Sequence, residues 1–97
     1  MFQIIALLSV RKEETEKLEA LLKPLIEASR RDAGCLGYDC RADVLNPGTW
    51  LFFEKWQDDA SLEKHMAAPH FKAFEQGVAP LLTAPLAIHK VMMEGEA

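Results

Sequence analysis

The chain predicts an α+β fold with its segments in the order β-α-β-β-α-β. This is the ferredoxin-like split arrangement, in which helices cover one face of a four-stranded antiparallel sheet. Three observations carry the prediction. Four apolar runs of strand length are spaced along the chain. One long amphipathic stripe and one proline-divided helical stretch lie between them. Asn46-Pro47-Gly48 joins the middle two runs into a hairpin. Ninety-seven residues make one domain, 1–97.

Residues 2–10 form the first strand. Phe2, Ile4, Ala6 and Leu8 fall on one parity and Ile5 and Leu7 on the other, so both faces need cover. Residues 11–32 are helical: Leu18, Leu21, Leu22, Leu25 and Ile26 make one stripe. Glutamates crowd its start and Arg30-Arg31 its end, as the helix dipole favours. Pro24 inside the stripe predicts a bend or a loosened turn, and Gly34 a stop. The second strand covers 35–44 and the third 49–56. Trp50, Phe52, Glu54 and Trp56 share one face of the third strand, with Leu51 and Phe53 on the other. Two helical segments follow, near 59–67 and 69–79, the second opened by Pro69. The last strand is 86–93, and the tail from Glu94 is expected to fray.

The sheet face carrying Leu51, Phe53 and part of the first strand is too apolar to stand in water. A second copy of the chain is the simplest cover, so a homodimer is expected. Net charge is −4, no lysine or arginine cluster stands out, and Arg30-Arg31 is followed at once by Asp32, which argues against a nucleic-acid partner. The apolar start is too short to span a bilayer and lacks a basic leader, so no membrane role and a cytoplasmic location are expected. Cys35 and Cys40, at odd and even strand positions, should face opposite ways roughly 16 Å apart and cannot bridge. They read as structural thiols.

Chemistry concentrates between Phe52 and Phe74. Trp56, Phe52, Phe71 and Phe74 offer flat walls for a flat ring, with ordinary core packing as the plainer alternative. Glu54 is a charge inside an apolar strand and needs a partner, for which His65, His70 and Lys55 are available; a structural ion pair is the competing account. His65 and His70 are the acid/base candidates, because imidazole titrates near neutrality. His70 reads equally as a helix-start or dimer-contact residue. Tyr38, the only tyrosine, could bond a substrate oxygen or simply pack. His65, His70 and Glu54 together would make three metal ligands. However, i and i+5 across a proline is not a ligand spacing, so no metal is expected.

Gly34-Cys35-Leu36-Gly37-Tyr38, Phe53-Glu54-Lys55-Trp56, His65 and Pro69-His70-Phe71 resemble the antibiotic biosynthesis monooxygenase domain, in order and over nearly the whole chain. Within that family the chain is most similar to small bacterial quinol monooxygenases. The resemblance implies a dimeric α+β barrel with one pocket per subunit between sheet and helices. It also implies oxidation of an electron-rich ring by O2 with no flavin, haem or metal. Haem-degrading relatives use a first-strand asparagine, a tryptophan and a second-helix histidine. Here Trp56 matches, the first strand has no asparagine, and Glu75 takes the histidine position, which speaks against haem.

The leading expectation is therefore a cofactor-independent monooxygenase or oxidase of quinol-like or phenolic rings. Trp56, Phe71 and Phe74 would hold the ring, His65 oriented by Glu54 would deprotonate it, and Tyr38 would fix an oxygen. Two alternatives stand beside it. Leu62 to Phe71 also resembles the enzyme that processes phosphorylated autoinducer-2, which implies proton transfer on a small phosphorylated ligand. The third reading is a non-catalytic dimeric binding module, since fold does not fix function.

Overall fold

The computed structural model describes residues 1–93. Strand β1 spans Phe2–Ser9. A 3-10 turn at Lys12–Glu14 leads into helix α1, Thr15–Ser29. Strands β2 (Cys35–Ala42) and β3 (Thr49–Trp56) follow, then helices α2 (Asp59–Ala67) and α3 (Pro69–Val78), and last β4 (Ala87–Met92). The sheet order is β2-β3-β1-β4, with every pairing antiparallel. This is the ferredoxin-like α+β architecture that the pattern predicts. The expected fraying at 94–97 lies outside the described residues.

Alternation along the strands decides the two faces. Phe2, Ile4, Ala6 and Leu8 are buried, and they stand opposite Trp56, Glu54, Phe52 and Trp50 of β3. Onto this face α1 packs Leu18, Leu22 and Leu25, and α3 packs Phe74 and Val78. Each such buried side chain contributes about 1.5–3 kcal/mol. The other face carries Ile5, Leu7, Leu51 and Phe53, with Leu7 still 36% and Phe53 39% exposed.

Several boundaries differ from the sequence pattern. The second strand stops at Ala42, because Asp43 folds into the turn. Its carboxylate accepts from the Leu45 N–H at 3.0 Å and from Asn46 Nδ2 at 2.9 Å. Helix α1 ends at Ser29, so Arg30 is free to reach β2. Its guanidinium donates to the Tyr38 carbonyl at 3.0 Å and to Asp39 at 2.6 Å. Pro24 neither ends nor divides α1. Pro24 and Ala20 are both exposed, so the carbonyl that loses its helical partner at Ala20 is solvated.

The cysteines also depart from expectation. A bulge between Cys35 and Gly37 removes one residue from the alternation. Cys35 therefore stands opposite Trp56 and Cys40 opposite Phe52, and both pack against the core from the same side of the sheet. Both are free thiols, and burial pushes each thiol pKa up, which suits inert packing.

Candidate functional site

Between the sheet and helices α2 and α3 lies an apolar cavity of about 110 Å3. That is close to the roughly 150 Å3 apolar void known to take a benzene ring. Ile4 and Ala6 floor it, Phe52, Phe71 and Phe74 wall it, and the short side chain of Ala6 leaves room at its base. Two ionisable groups besides Tyr38 reach this lining, Glu54 and His65.

Local rules place His65. Asp58 caps α2, its Oδ1 accepting from the Ser61 N–H at 2.9 Å and the Ser61 hydroxyl at 2.7 Å. Ala68 precedes a proline and is extended, with φ −73° and ψ 150°, so α2 must stop there. Pro69 starts α3 in a new direction. His65 thus sits in the last turn of α2 and His70 in the first turn of α3. Both turn toward one acceptor. His65 Nδ1 and His70 Nε2 each lie 2.8 Å from the same oxygen, Oδ2 of Asp32, in the turn between α1 and β2. The His65 side chain is 1% exposed, whereas Asp32 and His70 keep 19% and 22%. Trp56, Phe71 and Tyr38 surround the His65 ring at centroid distances of 4.8, 5.2 and 5.3 Å.

Glu54 has a different partner from those expected. Its Oε1 accepts from Trp56 Nε1–H at 2.8 Å, on the same strand two residues on, and no imidazole bonds to it. The carboxylate that orients His65 is Asp32. Burial raises the Glu54 pKa to about 7, against the smaller lowering effect of the indole bond. Burial also lowers the His65 pKa, opposed by Asp32. The Tyr38 hydroxyl is pushed well above its ordinary pKa, first by burial and then by Glu54, and stays a neutral phenol.

Of the residues singled out in the sequence, Glu54, His65, Tyr38, Phe52, Phe71 and Phe74 meet at the cavity. Trp56 does not line it. It is wholly buried one layer behind, where it fixes Glu54 and packs on His65. His70 does not line it either, because its ring is committed to Asp32. Glu75, at the position of the haem-binding histidine in the resemblance, is exposed on α3.

Asp32 was not legible as a site residue. After Arg30-Arg31 it reads as helix-end charge, and its partners lie 33 and 38 residues further on. Among the described residues, Asp32, His65 and His70 form a group whose candidate donor atoms lie within 4.8 Å of one another. In the observed geometry those atoms are already used in two short hydrogen bonds to one oxygen.

Comparison with known proteins agrees with this architecture. A family model described as antibiotic biosynthesis monooxygenase matches residues 1–77. An uncharacterized protein of Synechocystis, sll1783, is 33% identical over 81 residues, which are 84% of this chain; the match covers only 55% of that longer protein. The protein of Escherichia coli named "Probable quinol monooxygenase YgiN" is 28% identical, with 80% of this chain and 85% of that one covered. The crystal structure of PA3566 from Pseudomonas aeruginosa superposes with a TM-score of 0.87 at 34% identity, covering 95% of this chain and 92% of that one.

Proposed function

The chain belongs to the antibiotic biosynthesis monooxygenase family, and on that premise we propose that it oxidises a small electron-rich aromatic ring, a quinol or a related phenol, with O2. The observation that carries this reading is the ring-sized apolar cavity in which the buried imidazole of His65 and the buried carboxylate of Glu54 meet. The similarity to YgiN, whose name specifies a quinol, supports the substrate class.

A hydroquinone needs to lose a proton before it gives up an electron readily, because the anion is far easier to oxidise than the neutral ring. His65 is held neutral by burial, so it is available to accept that proton. Glu54, with a pKa near 7, is available to the second hydroxyl once ionised. Phe52, Phe71 and Phe74 hold the ring, Tyr38 packs at its side as a neutral phenol, and Trp56 acts through Glu54 and His65. Electron transfer from the anion to O2 then follows without a resident redox group. Insertion would convert the quinol and O2 to a hydroxyquinone and water; simple oxidation would give quinone and hydrogen peroxide. The second subunit would cover the apolar sheet face of Ile5, Leu7 and Phe53, as the sequence leads one to expect.

Among the described residues the cavity lining holds no lysine or arginine. A phosphorylated ligand would find no counter-charge there, which weakens the isomerase alternative. The test is oxygen uptake by metal-stripped protein with reduced naphthoquinols, benzoquinols and catechols, against protein-free autoxidation. Uptake above that control, lost in a folded His65→Asn or Glu54→Gln variant, supports the proposal. Equal uptake with and without protein across the panel overturns it.

A further inference from the structure

Two features of the histidine cluster go beyond the cavity itself. One carboxylate oxygen receives both imidazoles, each at 2.8 Å. Burial is also graded along the set, from 1% for His65 to 19% and 22% for Asp32 and His70. An ionised carboxylate is only an acceptor, so a ring nitrogen 2.8 Å from it carries the proton. The Asp32 bond therefore fixes His65 as the tautomer with its proton on Nδ1. The nitrogen left for a molecule in the cavity is Nε2.

We propose that Asp32 is a positioning residue that makes His65 Nε2 the proton acceptor of the site, and that His70, bonded to the same oxygen, sets how strongly Asp32 acts. This inference rests on the proposed oxidation for its chemical purpose, but its geometry stands apart from any substrate. When His65 takes a proton at Nε2, the imidazolium keeps Nδ1–H on Asp32, and the carboxylate stabilises the new charge without itself being protonated. His70 competes for that carboxylate, and its ring opposes charge on His65. Asp32 and His70 therefore push the His65 equilibrium in opposite directions.

Every group packed on His65 enters the test. Tyr38 faces it from β2 and Trp56 from β3. His70 and Phe71 face it from α3, and Asp32 from the α1–β2 turn. Glu54 shares the cavity.

The experiment is nitrogen NMR of histidine-labelled protein across pH, on the parent chain and on the Asp32→Asn and His70→Gln variants. Asparagine keeps an acceptor oxygen at position 32 without the charge, and glutamine keeps a donor at position 70. The expected spectrum of neutral His65 in the parent shows a protonated Nδ1 and a bare Nε2. Its titration midpoint should fall by about half a pH unit or more in Asp32→Asn and rise in His70→Gln. The low-pH limb of kcat/KM for oxygen uptake should move in the same two directions. A His65 protonated on Nε2 in the parent, or midpoints that stay put or move together, would overturn the assignment. The spectra need no substrate, so this inference and the proposed oxidation can fail separately.

Discussion

The indole of Trp56 donates to the carboxylate of Glu54 across two positions of one strand, at 2.8 Å, and both side chains are buried. That bond is the one hydrogen bond to the Glu54 side chain seen among the described residues. Replacing Trp56 with Phe removes the donor and leaves Oε1 without it, at a cost of about 1–3 kcal/mol in stability. Because the indole lowers the Glu54 pKa, its loss should raise that value above about 7. If Glu54 acts as an ion, the rise of kcat/KM with pH should start later in Trp56→Phe. An unchanged profile in a folded variant would separate Glu54 from the chemistry.

Glu54 should also be visible in stability. Its folded pKa of about 7 lies above its ordinary 4.5, so between those values the folded chain binds a proton that the unfolded chain does not. Its contribution is complete below pH 4.5 and is lost as pH rises through 7, by at most about 3 kcal/mol. Glu54→Gln should flatten that decline. Denaturant midpoints at pH 5, 6, 7 and 8 for the two proteins check the sign, and a parent midpoint rising over that window with no change in Glu54→Gln would contradict it.

Ala6 is the small residue in the cavity floor. Ala6→Val adds two methyl groups where a ring would lie. We expect ring binding and oxygen uptake to fall about tenfold or more, while the folding midpoint moves by no more than the 1–3 kcal/mol usual for an overpacked site. Calorimetric titration with catechol or a quinone checks this. Unaltered affinity would place the ligand elsewhere.

The outward sheet face makes a separate prediction. Phe53 lies opposite Ile5 and beneath the Arg41 guanidinium, 5.9 Å from the ring centroid. Phe53→Glu should leave the helix-facing core intact and convert a dimer into a monomer, read by sedimentation equilibrium. A parent protein that is already monomeric at micromolar concentration would show that nothing covers this face.

Much of this molecule could be read from its residues, and the omissions have physical causes. Alternation along β1 and β3 and the leucine stripe of α1 are local periodicities, so the element order and the helix-facing side were readable. The shared face of Glu54 and Trp56 was readable too, but their bond was not, because it depends on how the indole and carboxylate turn within that face and strand parity does not set this. The bulge at Cys35–Gly37 left no clear trace in the sequence and reversed the facing of Cys35. Asp32 was hidden for another reason. Its significance comes from how α1, α2 and α3 converge, which no local pattern records.

Gly34 has a positive φ of 81°, and a Cβ built there would collide with the hydroxyl of Ser61, the residue held by the Asp58 cap. The turn carrying Asp32 and the first turn of the helix carrying His65 therefore rest directly on each other. A methyl group at position 34 would push those two bodies apart and stretch a bond formed between other residues. In a random-mutagenesis screen, position 34 should thus score with the ionisable positions, although only a hydrogen atom stands there. Trimming Ser61 to glycine in the same chain would remove the collision but not the backbone strain of a side chain at positive φ, so the rescue should be partial.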